Sequence, residues 1–358
     1  MKILVIQQKM IGDVLTSTII CRSLKEQYPK SEVVYLVNSS TIPVLEGNTS
    51  FDRIIEFKTD YRDSKLAFIK FLIAIRKERF DLVVDAYGKL ESNLISLFSN
   101  GKEKISFYKK YTHWIYTKTV HRVTTPITNA STAIENRLRL IYPDPVLKDH
   151  IKRPQIQLTS TEKKVAKKIL MSHAISLNEP LFMISVLGSE DIKTLPPSYM
   201  AALLDEIVKF TNASILFNYM PSQVQEAKAI YNLTAFETQR KIHFDVFGKS
   251  LREFMGILYH CTALLGNEGG AVNIAKALDK PTFTIFSPWI IKKDWNMFED
   301  GKKHDSIHLI DVKPELYGSK SPKQMKKESL ALYKEFTPDM IIKKLQNYLT
   351  QFINPDLD

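Results

Sequence analysis

The chain has 358 residues, 44% apolar and 25% charged, with 12 glycines and 16 prolines; that balance excludes extended disorder and leaves room for two domains, each with its own core. Lys and Arg outnumber Asp and Glu by 50 to 39, a net charge of +11, which suits an anionic partner; no zinc-finger spacing, RNP-like strand or helix-turn-helix pattern directs that charge to nucleic acid. No apolar stretch approaches the ~20 residues that span a bilayer, and no leader-type segment opens the chain, so a cytoplasmic protein is expected.

Strand-like and helix-like runs alternate from the start. KILVIQ (2–7) precedes a stretch in which Val14, Thr18, Cys21, Leu24 and Tyr28 recur at helical spacing. VVYLVN (33–38), RIIEF (53–57), DLVVDAY (81–87) and KISFY (104–108) read as further strands, with the helical KLAFIKFLIAIRKERF between the third and fourth. These runs are continuously apolar, the mark of parallel strands covered on both faces by helices. After RPQIQL (153–158) the rhythm restarts with a Lys-rich helix (160–174), FMISVL (182–187), a helix from Pro197, SILFNY (214–219), a helix from Ser222 and HFDVF (243–247). A helix from Ser250, ALLGN (263–267), a helix from Gly270 and TFTIFS (282–287) follow. Residues 288–325 show no period and read as a surface loop region; two helices then close the chain, the last beginning at Pro338. The expected organisation is therefore an N-terminal doubly wound domain, 1–155, and a second one, 156–335. The terminal segment, 336–358, is expected to pack back across the seam onto the first.

Three stretches carry chemistry. In IQQKMIGDVLTST (6–18), Gly12 and Asp13 stand where a strand ends and a helix begins, the edge at which parallel sheets bind ligands. By itself, Asp13 is also a good helix cap. In LGNEGGAVNIAKALDKPTFTIFSPW (265–289), Glu268 presents a carboxylate, and Gly269 and Gly270 let a phosphate or sugar approach the backbone at a helix mouth; the pattern is not the dinucleotide fingerprint GxGxxG. In LGSEDIKTLPPSYM (187–200), Lys193 lies between a strand end and a Pro-started helix, where it is either a solvated loop lysine or a point charge for phosphate. Cys21 and Cys261 fall in apolar-periodic segments and read as buried thiols. The D-x-D at Asp356-Leu357-Asp358 lies at the C-terminus, away from any strand end, so no metal is expected.

Together these stretches resemble glycosyltransferase family 9, the bacterial heptosyltransferases of lipopolysaccharide core assembly. The family's G-D after the first strand corresponds to Gly12-Asp13, and its K-x-W-P to Lys193-Thr194-Leu195-Pro196. Its D-T-G-x-x-H-x-A-x-A-L corresponds to Glu268-Gly269-Gly270-Ala271-Val272-Asn273-Ile274-Ala275-Lys276-Ala277-Leu278, and PTFTIFSP (281–288) is similar to its P-x-x-x-L-F-G-P. The chain departs from the family at Glu268-Gly269 (Asp-Thr in the family), at Asn273 (His), at Gln7 (Lys) and at Lys9 and Met10 (small hydroxyl residues).

The resemblance implies an α/β protein of GT-B fold, two Rossmann-like doubly wound parallel-sheet domains facing a central cleft. It implies metal-independent, inverting transfer of a heptose or related sugar from a nucleotide diphosphate donor, an ADP-heptose-like co-substrate with no other cofactor, to a lipopolysaccharide core or other surface glycan. Asp13 would then be the general base and Lys193 the charge that meets the leaving diphosphate, while Gly12, Lys193, Glu268, Gly269, Gly270 and Asn273 would hold the donor. The basic surplus would serve a lipid-linked or phosphorylated acceptor and a peripheral contact with the anionic inner-membrane face. A nucleotide-sugar epimerase on the same fold and a non-catalytic sugar-nucleotide binding protein are the alternative readings; the eight histidines form no catalytic or metal-type cluster in the sequence.

Overall fold

The computed structural model of the chain describes residues 1–318 and 320–353, and the D-x-D at 356–358 lies outside the described residues. The chain forms two compact units, one of Met1–Gln157 with Lys293–Phe298 and one of Leu158–Lys292 with the chain from Glu299 onward.

In the first unit, β1 (Lys2–Ile6), β2 (Glu32–Asn38), β3 (Arg53–Phe57), β4 (Leu82–Asp85), β5 (Glu103–Phe107) and β6 (Lys118–Val120) form a wholly parallel sheet in the order β3-β2-β1-β4-β5-β6. The apolar runs are continuous because both faces are covered: Ile3, Leu4, Val5 and Ile6 are all fully buried although successive side chains point to opposite faces. Leu4, Ile6, Val34 and Leu36 meet Phe71, Leu72 and Ile75 of the helix Lys65–Lys77. On either side of β1 the connections leave in opposite directions, so a crevice opens where β1 and β4 end.

The second unit repeats the plan with β7 (Leu181–Ser185), β8 (Ser214–Asn218), β9 (Ala263–Asn267), β10 (Thr282–Ile285) and β11 (His304–Ile307), parallel in the order β11-β10-β9-β7-β8. Its crevice lies between β7 and β9. HFDVF (243–247), read from the sequence as a strand, is not one. Only its neighbour Ile242 bridges Ile215 of β8, while Phe244 is spent on stacking with Tyr219 and packing against Phe217 and Tyr231. That bridge occupies the place a sixth strand would need to give both sheets the same order.

Three further readings are corrected. The region 288–325 is not loop throughout, because His304–Ile307 forms the edge strand β11. Its polar residues are buried but partnered: Thr282 Oγ1 lies 3.1 Å from His304 Nδ1, and Asp305 pairs with Lys344 at 2.9 Å. Lys293–Phe298 belongs to the first unit, not the second; Phe298 N–H donates to Asn129 at 2.6 Å and Thr132 Oγ1 to Asp294 at 2.7 Å. Finally, the helix Pro338–Ile353, expected to pack back on the first domain, is part of the second unit. Its stripe of Ile341, Leu345, Tyr348 and Leu349 enters the second unit's own core, with Phe352 edge-on to Phe182 at 5.6 Å and Tyr348 5.4 Å from Phe283.

Leu345 is 2% exposed in that core. Leu345→Ala should therefore cost about 2–5 kcal/mol of unfolding free energy in a denaturant titration; an unchanged midpoint would mean that the terminal helix contributes nothing to the second unit.

Candidate active site

At the end of β1 the chain turns through residues 7–10 into the helix Ile11–Gln27, with Gly12 buried and Asp13 in the first turn. Asp13 does cap: its Oδ2 accepts from Met10 N–H, but at a long 3.4 Å. Its Oδ1 accepts from Arg137 Nη2 at 2.6 Å, an ion pair in which the Arg137 side chain is only 8% exposed. Each of the three guanidinium nitrogens is engaged. Arg137 Nε donates to Ser17 Oγ at 2.8 Å and Nη1 to the Ala133 carbonyl at 2.7 Å, while Ser17 reaches Gln7, whose amide donates to the Lys9 carbonyl. Arg137 thus fixes the carboxylate to both the turn and the helix Ser131–Arg139.

Asp13 lines a cavity of about 340 Å³ within this unit, together with Lys9, Tyr87, Lys89, Arg122, Asn136, Asp294 and Trp295 among others. Its wall after β4 is shaped by Asp85, a buried carboxylate that accepts from Tyr87 N–H (2.9 Å), Gly88 N–H (2.8 Å) and Tyr116 Oη (2.7 Å). Burial pushes Asp85 above the usual carboxylate range even though these donors oppose it. Arg122, stacked 3.5 Å from the Phe107 ring centroid, is pushed down to about 10 by burial and then by the Arg137 charge, with Asp13 acting the other way. With four cationic side chains against two carboxylates on its wall, the cavity suits an anionic ligand.

In the second unit the turn carrying Lys193 is held with unusual economy. The Ile192 carbonyl accepts from Ser287 Oγ (2.6 Å), Trp289 Nε1 (3.1 Å) and Ser329 Oγ (2.8 Å). Gly188 lies so close to Lys193 that a Cβ there would stand 2.3 Å from the Lys193 carbonyl oxygen. Asn267, the last residue of β9, accepts from Leu195 N–H at 2.9 Å and donates to the carbonyls of Ser185 and Val186 at 3.0 Å. Lys193 Nζ is 3.7 Å from Glu268 Oε1 and 5.6 Å from the Trp289 ring centroid, and Lys326 lies 4.8 Å from the same ring. Glu268 Oε1 is buried without a hydrogen-bond partner, and burial pushes this carboxyl up, with Lys193 pulling it back.

Gly269 and Gly270 open the helix Gly270–Ala277, where a Cβ on either would meet no atom within 4 Å and the Gly269 backbone (φ 162°) is extended. Neither packing nor conformation demands glycine there; bare N–H groups at a helix mouth with open space beside them suit an anion. Asn273 lies on the same helix, half-buried. The structure therefore gathers Gly12 with Asp13 in one unit, and Lys193, Glu268, Gly269, Gly270 and Asn273 in the other. Arg137, Arg122, Asp85, Asn267 and Trp289 were not legible as site residues: each is a lone polar or aromatic side chain whose role exists only through partners far along the chain.

Residues 68–291, more than half of the chain, match the model for glycosyltransferase family 9 (heptosyltransferase). The chain belongs to glycosyltransferase family 9. Over 80% of its length it is 23% identical to lipopolysaccharide heptosyltransferase 1 of Campylobacter coli, covering 84% of that protein. Over 88% it is 22% identical to lipooligosaccharide heptosyltransferase 2 of Haemophilus influenzae, covering 97%. Among solved structures, a family 9 glycosyl transferase from Veillonella parvula superposes with a TM-score of 0.80 at 15% identity, covering 98% of this chain and 97% of that one. Escherichia coli ADP-heptose heptosyltransferase II superposes with a TM-score of 0.68 at 18% identity, covering 94% and 99%. The fold of this family 9 glycosyltransferase is thus GT-B, two Rossmann-like units in one chain. Lys193, Glu268, Gly269, Gly270 and Asn273 lie inside the stretch matched by the family model, whereas Gly12 and Asp13 precede it.

Because its carboxyl is raised when folded, Glu268 lowers stability progressively as pH climbs from the ordinary carboxylate range to that raised value, carries the full penalty above it, and is neutral in both folded and unfolded chains in acid. Glu268→Gln should therefore raise the melting temperature at about pH 8 and have little effect near pH 4, where the unfolded carboxyl is also protonated. Equal shifts at both pH values would mean that the buried charge is not the cause.

Proposed function

We propose that this family 9 enzyme transfers a heptose or related sugar, with inversion and without a metal, from an ADP-heptose-like nucleotide diphosphate donor to a lipopolysaccharide-core or other surface glycan acceptor. The observation that carries the reading is Asp13: a carboxylate in a cationic cavity, one oxygen locked by Arg137 and the other holding only a long contact. The names of the sequence relatives and of the E. coli neighbour, heptosyltransferases all, support the sugar and the acceptor class. They favour transfer over the epimerase and binding-only readings.

In this scheme Asp13 Oδ2 takes the proton of the acceptor hydroxyl as its oxygen attacks the anomeric carbon. The bond from that carbon to the diphosphate oxygen breaks on the opposite face, and its electron pair leaves with the diphosphate. Lys193 and the N–H groups opening the helix Gly270–Ala277 meet the charge that grows there, which supplies the role a metal would otherwise fill. Gly12, Glu268, Gly269, Gly270 and Asn273 hold the donor, and the cationic wall of Lys9, Lys89 and Arg122 receives a phosphorylated acceptor.

Asp13→Asn should keep nucleoside diphosphate affinity but lose about 10²–10⁴ in transfer rate, measured under steady-state conditions; a variant as fast as wild type would reduce Asp13 to a cap. Lys193→Ala should lower both kcat and diphosphate affinity, and Lys193→Arg should restore neither fully, because a planar fork replaces a compact point charge. Wild-type constants in Lys193→Ala would remove this lysine from the site.

A further inference from the structure

The helix Lys65–Lys77 is apolar on two faces. One carries Phe68, Phe71, Leu72 and Ile75 into the first unit's core. The other leaves Leu66 (63% exposed), Ile69 (53%) and Ile73 (51%) in solvent. At 3.6 residues per turn these three form a single stripe. Lys65 and Arg76 run along one edge of it and Lys70 and Lys77 along the other, all four exposed. Carboxylates stand only at the ends, Asp60 and Asp63 before the helix and Glu78 after it, and Glu78 is occupied by Lys2 and Arg53.

Folding does not reward this arrangement. Isoleucine on an exposed helix face adds nothing to helix propensity, Lys65 in the first turn opposes the macrodipole, and three aligned large aliphatic side chains in water are a cost without a partner. The adjoining helix Leu90–Phe98 adds exposed Leu97 and Phe98 to the apolar surface of this unit.

We propose that the outer face of the helix Lys65–Lys77 docks on a bilayer bearing anionic headgroups, with Leu66, Ile69 and Ile73 entering the acyl boundary and Lys65, Lys70, Arg76 and Lys77 lying in the headgroup layer. An apolar stripe bordered on both sides by long cationic side chains is the pattern of a helix lying in the membrane interface, because the aliphatic stems follow the apolar surface while the charges stay at headgroup level. A second copy of the chain fits poorly: pairing two such stripes sets cationic edges against cationic edges with no carboxylate between them. The family resemblance implies a contact with an anionic membrane face; this surface gives that contact a place and does not depend on the transfer chemistry.

The test is co-sedimentation of the full chain with phosphatidylcholine vesicles, with and without phosphatidylglycerol, at low and high salt. Binding should require the anionic lipid and weaken with salt. The triple variant Leu66→Gln, Ile69→Gln, Ile73→Gln should bind at least about tenfold more weakly, and each cation replaced by Gln should cost about fivefold, with transfer to a water-soluble acceptor unchanged. Should the triple variant not fold, Ile73→Cys carries an environment-sensitive fluorophore selectively, since Cys21 and Cys261 are buried; its emission should shift to the blue on anionic vesicles. Failure of the wild-type chain to bind anionic vesicles, wild-type binding by the triple variant, or an unshifted fluorophore on bound protein would each overturn the proposal. So would a dimer in sedimentation velocity that the triple variant abolishes, which would give the stripe to a second copy. Absence of transfer by the wild-type chain, with its binding to anionic vesicles and the loss of that binding in the triple variant both observed, would instead count against the catalytic reading alone.

Discussion

Parallel winding is the constraint on which both candidate sites depend. When every strand runs the same way and a helix carries the chain back, all strand ends and all following helix N-termini collect along one edge. At the place where successive connections diverge, two neighbouring strands leave a crevice that no loop crosses. Ile6 pairs with Asp85 across that place in the first unit, and Ser185 with Gly266 in the second. Residues 13 and 87 become neighbours for this reason, and so do residues 193 and 268, although each pair is separated by more than 70 positions in the chain.

Both units stabilise their crevice in the same way. The last residue of the strand across the divergence, Asp85 of β4 and Asn267 of β9, is a fully enclosed polar side chain that binds backbone groups of the adjoining turns. Burying such a group costs free energy unless every partner is present, so the arrangement ties the shape of the turn to the completeness of the fold. Arg137 in the first unit and the Ile192 carbonyl in the second extend this logic outward. One donates to three separate groups and the other accepts from three, and between them they hold the two side chains, Asp13 and Lys193, on which the proposed chemistry relies.

The charge surplus of the chain is distributed with the same economy. Cations line the cavity around Asp13, stand on Trp289 beside Lys193, and border the apolar stripe of Lys65–Lys77. The partners proposed for these places, a phosphorylated acceptor, a diphosphate and a lipid surface, are all anionic, which matches the sign of the side chains found there.

Continuous apolar runs were sufficient to identify nine of the eleven strands among the described residues, because a strand buried on both faces has no alternative but to be apolar throughout. The same criterion failed on β6, three residues long and begun by a lysine, and on β11, whose His304, Asp305 and Ser306 are tolerated in the interior because Thr282, Lys344 and Glu299 respectively partner them. It also over-read HFDVF, where hydrophobicity serves aromatic packing and not a ladder. At the sites, Gly12-Asp13, Lys193 and Glu268-Gly269-Gly270 were legible because strand end, small residue and charge are adjacent in the chain. Arg137, Asn267 and the return of Lys293–Phe298 to the first unit were decided by tertiary structure alone, since a lone buried polar residue acquires its meaning from partners whose position only the completed fold determines.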